Sequence, residues 1–310
     1  MGRGIAALTG ATGFLGARLT LALKEGGWQV RALIRRDVDE ASLRRDGHET
    51  VRGDLADGAA LASLVRGAEV VIHCAGLIKA RDRAAFMAVN RDGAAALAAA
   101  MSGGQMVLIS SLAARQPTLS DYAASKQAGE EAVRAALGKR LVVLRPPVVY
   151  GPGDRETLAL FRVAGRWPVL PVPATRAARL ALIHADDVAA AVVAVLDRPA
   201  ISGVFALGGA RSAGYEWGEI LRAAAATTGR RPALLAVPGW AVMAAAAISE
   251  TLGGAHGSAP IFTRGKAREM LHADWAVRPE ELVPGAPAAR FDLAMGFAAT
   301  VKWYRAAGWL

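Results

Sequence analysis

Tyr122 and Lys126 stand four residues apart in Tyr122-Ala123-Ala124-Ser125-Lys126. On a helix that spacing puts both side chains on one face, within reach of each other. A free phenol, with a pKa of about 10, is a poor base near neutrality. A neighbouring ammonium favours the phenolate and lowers that value. Tyr122 can then take a proton from an alcohol, or give one to a nascent alkoxide. Upstream, the apolar run Met106-Val107-Leu108-Ile109 ends in Ser110-Ser111. A serine at the end of such a strand can hydrogen-bond the same oxygen; Ser111 is preferred, with Ser110 the alternative. Alone, Y-x-x-x-K recurs by chance on exposed helices, so its meaning depends on the elements that position it.

Those elements begin with Thr9-Gly10-Ala11-Thr12-Gly13-Phe14-Leu15-Gly16. The stretch lies between the apolar run Ile5–Leu8 and the periodic segment Ala17–Lys24, an order that reads as strand, glycine turn, helix. Gly10 permits the tight turn, Gly13 lets backbone approach a pyrophosphate, and Gly16 lets helix and strand pack closely. The N–H groups of the helix's first turn face the phosphates. Gly10, Thr12, Gly13, Phe14, Leu15 and Gly16 are therefore candidate dinucleotide-binding residues. The second strand, Gln29–Ile34, ends in Arg35-Arg36, where an acid would bind a ribose 2′-hydroxyl. Guanidinium groups there attract a 2′-phosphate and favour NADP(H) over NAD(H), although the adjacent Asp37 keeps NAD in play.

Further along, Glu49–Gly53 reads as a strand followed by Asp54-Leu55, and Val70–Gly76 as a strand running into the small residues Cys74, Ala75 and Gly76, which let backbone lie near a cofactor. His73 reads as a packed strand residue and Cys74 as a structural thiol. Ala84–Met101 reads as one long helix containing Asn90. A helix from Tyr122 through Leu137 and a strand at Leu141–Leu144 follow. Strands alternating with helices at this rhythm predict an α/β fold, a doubly wound parallel sheet with helices on both faces. Past Gly151 the pattern changes. Pro168, Pro171 and Pro173 favour loops, Leu180–Val188 reads as a strand running into a capped helix, Asp187–Leu196, and Ser202–Leu207 as another strand. The expected division is a dinucleotide-binding domain over 1–150 and a smaller, mostly helical substrate lobe over 151–310, with segments around 180–207 returning to the main sheet.

Composition narrows the field. The 310 residues are 53% hydrophobic, ample for a core, and the net charge of +10 is spread without a long basic block. Nucleic-acid binding is therefore not expected as the function. A single cysteine excludes a disulfide framework. The first strand begins almost at once, so no signal peptide is expected and a cytoplasmic location is. The most apolar stretch, Ala233–Ser249, is broken by Pro238-Gly239 and falls short of a membrane span of about 20 residues. It is expected to be a buried helix, a lid or pocket wall favouring an apolar substrate.

As an ordered set, TGATGFLG, Asp54-Leu55, HCAG at 73–76, VNRDG at 89–93, Ser110-Ser111, YAASK, RPPVVYGPG and HADDVA at 184–189 resemble the extended short-chain dehydrogenase/reductase family. The resemblance covers roughly the first two-thirds of the chain. It implies a Rossmann-type fold with Ser111, Tyr122 and Lys126 as the catalytic triad. It also implies Asp54 and Leu55 at the adenine, Lys126 on the nicotinamide ribose, and Pro146 and Val149 near the carboxamide, with Asn90 as structural support. Leu112-Ala113-Ala114 after the serine lacks the acidic pair of related dehydratases. The C-terminal segment Thr300–Leu310 is similar to dihydroflavonol-reductase-like and hydroxysteroid-dehydrogenase-like members, and its aromatic residues are expected to pack rather than line a substrate box. The implied activity is NADP(H)-dependent hydride transfer on a ketone/secondary alcohol pair of a small, apolar substrate. A sugar-nucleotide epimerase and a non-catalytic scaffold subunit are the alternatives, and a homodimer is allowed for.

Overall fold

A computed structural model describes residues 3–175, 178–198, 200–255 and 262–310. They fall into two compact units, one of Met1–Arg145, Ala189–Phe205 and Val283–Pro287, the other of Pro146–Val188, Ala206–Leu282 and Ala288–Leu310.

In the first unit the chain alternates strictly. It runs β1 (Ile5–Thr9), α1 (Phe14–Glu25), β2 (Gln29–Ile34), α2 (Asp37–Arg45), β3 (Glu49–Arg52), α3 (Gly58–Val65) and β4 (Ala68–His73). Then come α4 (Arg83–Met87), a π-helical segment (Ala88–Gly93), α5 (Ala94–Ala99), β5 (Gln105–Ile109), α6 (Asp121–Leu137) and β6 (Leu141–Arg145). The strands line up as β3-β2-β1-β4-β5-β6, and the strand Gly203–Ala206 completes a seven-stranded sheet beside β6. The pairings from β3 across to β6 are parallel. This is the expected Rossmann-type sheet. Its central strand is covered on both faces, as parallel strands require: Ala6, Ala7 and Leu8 are wholly buried. Helices α3, α5 and α6 supply Leu61, Leu64, Leu97, Val133 and Leu137 to one core cluster with Val71, Leu108 and Val143.

The expected single helix over 84–101 carries a π turn at its middle. The Asn90 side chain accepts from Leu77 N–H (2.8 Å) and donates to Leu77 C=O (2.9 Å) and to Ser125 Oγ (2.9 Å). Single π turns of this kind tend to mark functional places in helices.

The second unit continues with β7 (Val148–Tyr150), α7 (Leu158–Arg166), β8 (Val169–Pro173), β9 (Arg179–Leu180), β10 (Leu182–His184) and α8 (Ala185–Leu196), which leads back to the first unit and to β11, the strand Gly203–Ala206. It resumes with α9 (Trp217–Ala226), β12 (Ala233–Val237), α10 (Gly239–Ala255), α11 (Arg264–Leu271), β13 (Asp274–Trp275) and α12 (Leu293–Ala306). Within 180–207 it is β11 that joins the main sheet, whereas β10 pairs with β7. The core is aromatic: Phe297 meets Tyr150 edge-on at 5.1 Å and Phe161 at 4.9 Å, and Tyr304 stacks on Trp309 at 5.6 Å. The C-terminal aromatic residues thus pack, as expected.

Three expectations need correction here. Pro171 and Pro173 lie in a strand, not a loop: β8 pairs in parallel with β12. A two-stranded ribbon has an outer edge where a missing N–H costs no ladder bond. The helix expected to start at Asp187 starts at Ala185, and the Asp187 carboxylate instead accepts from the backbone N–H groups of Arg290 (3.0 Å) and Phe291 (3.3 Å). The apolar stretch 233–249 is not a buried helix. It is β12 plus most of α10, and Leu235, Trp240 and Ile248 are exposed. Its alanines cover little area, so burying Val242 and Ala246 satisfies one side of α10 and leaves the other in solvent.

Candidate active site

The glycine turn has the geometry its residues demand. Gly10 lies at φ +76°, a conformation that side chains with a Cβ rarely adopt. A Cβ on Gly16 would overlap the Gly10 carbonyl, so only glycine lets α1 start this close to the turn. Gly13 is the N-cap of α1 and no side chain caps the helix. The first-turn N–H groups are thereby left to an external anion, an arrangement that fits a phosphate. The turn leans on the end of β4: a Cβ on Gly10 would come within 2.7 Å of the Ala75 nitrogen.

Thr9 ties these two strand ends together. Its hydroxyl lies 2.7 Å from His73 Nδ1 and accepts from Ala75 N–H at 3.2 Å. Burial, with the Lys126 charge adding, pushes the His73 imidazole down to about 3, so it stays neutral and packed. Burial pushes the Cys74 thiol up to about 12 against the pull of Lys126. A neutral imidazole and a protonated thiol fit packed residues at the end of a strand.

Helix α6 carries the proposed chemistry. Ser120 caps it by accepting from Ala123 N–H (2.9 Å), and Asp121 pairs with Arg83 at 3.1 Å. A Cβ on Gly129 would overlap the Asn90 carbonyl, so glycine permits close approach to the π segment. Tyr122 is half-buried, its ring 6.1 Å from that of Phe86. The Lys126 ammonium donates to the Ile109 carbonyl (2.8 Å) at the end of β5. Gly76 runs beside it, since a Cβ there would lie 3.7 Å from Nζ. Burial lowers the Lys126 pKa to about 8, while Cys74 and Glu130 pull it back up.

The two serines have different surroundings. Ser110 is buried and its hydroxyl donates to Glu130, which also takes two hydrogen bonds from Arg145, at 2.9 and 2.6 Å. Ser111 is half-buried and caps the short 3-10 turn Leu112–Arg115 by accepting from Ala113 N–H at 3.2 Å. That bond leaves its own O–H to donate. Thr9 and Arg145 stood in the quoted motifs without a role, and Glu130 escaped the reading of the sequence. A signal existed for Glu130, which follows Lys126 by four residues on the same helix face.

At the far end of β2 Arg36 is exposed and forks onto Asp39, both bonds 3.0 Å. Asp37 pairs with Arg52 at 2.5 Å. Asp54 accepts from Ala56 N–H at 2.8 Å, and Leu55 lies against Gly93, where a Cβ would sit 2.8 Å from Leu55 Cδ1. Pro146 and Val149 belong to the second unit, where Val149 pairs with Ile183. Among the described residues no cluster of ligands suits a metal ion.

A model of the NAD dependent epimerase/dehydratase family matches residues 6–208. A ceramide reductase of Caulobacter vibrioides is 49% identical over 310 residues, spanning 99% of this chain and 96% of the relative. A subunit of mitochondrial NADH dehydrogenase from Dictyostelium discoideum, alpha subcomplex subunit 9, is 25% identical over 224 residues, 70% of this chain and 62% of that one. Among solved structures, UDP-glucose 4-epimerase of Thermus thermophilus in complex with NAD superposes with a TM-score of 0.73 at 21% identity, over 98% of this chain and all of that one, a likeness of fold.

Proposed function

The chain belongs to the NAD-dependent epimerase/dehydratase family, and from that premise we propose that it is an NADPH-dependent reductase of a keto group on a ceramide-type lipid. The observation that carries this reading is the meeting of α6 with the end of β5. The Lys126 ammonium is anchored one residue before Ser110-Ser111, with Tyr122 one turn back on the same helix. The substrate class follows the name of the Caulobacter relative, alike over nearly the whole of both chains.

In this reading Ser111 donates its hydroxyl proton in a hydrogen bond to the substrate oxygen and fixes the carbonyl. Tyr122 gives its phenolic proton to that oxygen as the alcohol forms, and takes it back in the reverse direction. Lys126 stays mostly protonated at neutral pH and favours the phenolate, and its remaining donors suit a ribose hydroxyl. The nicotinamide, when bound, supplies the hydride. Gly10, Thr12, Gly13, Phe14, Leu15 and Gly16 would hold the pyrophosphate. Cys74, Ala75 and Gly76 would flank the cofactor, Asp54 and Leu55 would border the adenine, and Pro146 and Val149 the carboxamide. Arg35 and Arg36 would take the 2′-phosphate. The Asp37 carboxylate is engaged by Arg52, which supports the phosphorylated cofactor. Ser110, occupied by Glu130, is set aside as the carbonyl donor.

The test is turnover by the purified protein of a ceramide whose secondary alcohol has been oxidised to a ketone, followed by mass spectrometry, with NADPH and NADH compared. The expected result is reduction to the alcohol with NADPH preferred. Cofactor binding without turnover of that or any other ketone would favour a scaffold. Interconversion of sugar-nucleotide epimers without net cofactor consumption would favour an epimerase.

A further inference from the structure

Helix α10 is apolar all round. Between Gly239 and Leu252 its one charged residue is Glu250, which Arg264 of α11 holds at 2.6 Å. A helix of that composition is normally covered on every side. Here the cover is one-sided: Val242 and Ala246 pack with Ala267 of α11, while Trp240, Ile248 and Leu252 are 75%, 61% and 58% exposed. With Ala244 they recur every fourth residue, a continuous stripe along one face. Leu235, in the strand just before, is exposed as well. Contiguous apolar surface of this kind marks a contact site.

The surroundings of the stripe select the occupant. The stretch around α10 in sequence, from Thr228 to Leu271, holds five cations (Arg230, Arg231, Arg264, Lys266 and Arg268) against two carboxylates, Glu250 and Glu269; of the five, Arg264 is paired with Glu250 and Lys266 with Glu156 at 3.5 Å. All five cations are exposed. The chain as a whole carries +10. A second copy of the same face would bring like charges together, whereas an anionic surface complements them. No helix among the described residues is long and apolar enough to cross a membrane. The geometry points to a helix that lies in a bilayer interface: we propose that the outer face of α10 docks this protein on an anionic lipid surface, with Trp240, Ile248 and Leu252 in the headgroup region and the neighbouring cations on lipid phosphates. The proposal holds whichever reaction the chain performs.

Co-sedimentation with vesicles of phosphatidylcholine, with and without phosphatidylglycerol, tests it. The wild type should pellet with the anionic vesicles at physiological salt and be released as salt rises. Trp240→Ser/Ile248→Ser/Leu252→Ser should bind at least about tenfold more weakly. Brominated phospholipid should quench the wild type more than Trp240→Phe, a readout that does not require the triple variant. A wild type that stays in the supernatant, a triple variant that pellets equally, or equal quenching in Trp240→Phe would overturn the proposal. So would a concentration-dependent dimer, seen by light scattering, that the triple variant dissolves, since the face would then belong to a second copy.

Discussion

Helices α6 and α10 are each 17 residues long and use their surfaces in opposite ways. On α6 the buried polar groups are all committed. Ser125 donates to the Tyr122 carbonyl and accepts from Asn90, Lys126 donates to Ile109, and Glu130 receives Ser110 and Arg145. Each such bond has a direction, and together they fix the helix in rotation and in height against β5. On α10 the directed side-chain bonds to neighbouring segments belong to Ser249, which accepts from Phe262 N–H (3.3 Å), and Glu250, which accepts from the Arg264 N–H (2.7 Å) and guanidinium (2.6 Å). Along the rest of the helix the contact is Val242 and Ala246 in a cluster with Ala267 of α11, burial without direction. Bonds with direction position chemistry inside a chain. An apolar face left over positions the chain against something else.

The comparison predicts unequal consequences of substitution. The largest falls on Tyr122: Tyr122→Phe removes only the oxygen, so fold and NADPH affinity should persist while kcat drops by about 10² to 10⁴, the usual contribution of a placed proton carrier. Full activity in that variant would remove α6 from the chemistry. Next is Glu130→Ala. It strips a buried ion pair of one partner and should cost about 3 kcal/mol or more in denaturant unfolding, with Glu130→Gln costing less. A cost below about 0.5 kcal/mol would place Glu130 among the ordinary surface residues.

Lys126 gives a pH signature. Its folded pKa, lowered to about 8 by burial, lies below the unfolded value near 10.5. Between those values the unfolded chain holds a proton that the folded chain lacks, so stability without cofactor should rise with pH across that window. Below about 8 the cost of the buried charge is fully present. Lys126→Met should flatten the rise, and melting curves taken from pH 7 to 10.5 read it directly; an unchanged slope would contradict the burial of the ammonium. In the alcohol-oxidation direction the same variant should move the rise of rate with pH to higher pH, because the phenolate loses its cation.

Smaller effects follow outside α6. Arg35→Ala/Arg36→Ala should weaken NADPH about tenfold more than NADH, in keeping with charge-assisted contacts. Arg36 already forks onto Asp39, so Arg35→Ala alone should account for more than half of that loss. Equal weakening of both cofactors would reduce the pair to surface charge. Smallest of all, the triple serine variant of α10 should shift the unfolding free energy by no more than about 0.5 kcal/mol, as expected where side chains touch mainly solvent. A large loss would show that the face is covered within the chain.

The sheet and the site residues were legible to different depths. Strand and helix alternation was readable through β6 because parallel strands are short, apolar and separated by turns that need glycine, as Gly10 and Gly16 show. The face shared by Tyr122 and Lys126 follows from helical spacing alone. Of the network of Ser110, Glu130 and Arg145, only the helix face of Glu130 was readable, because its bonds join that helix to two strand ends that sequence does not show to be neighbours. The exposure of α10 was hidden for a simpler reason: a run of alanines scores as apolar but fills little volume, and composition does not say which neighbours reach it. Pro171 and Pro173 misled because a proline's missing N–H excludes the middle of a sheet, not the edge of a ribbon.

The chemistry at α6 is tested most directly by following the hydride itself. NADPH carrying deuterium at nicotinamide C4 is supplied, in each stereoisomer, with the keto lipid, and the product alcohol is examined by mass spectrometry. One of the two stereoisomers should deliver deuterium to the carbinol carbon in the wild type, at a rate reduced about 10² to 10⁴ in Tyr122→Phe. Product without deuterium from either isomer, or equal rates in wild type and variant, would contradict the assignment of Ser111, Tyr122 and Lys126 to a carbonyl reduction.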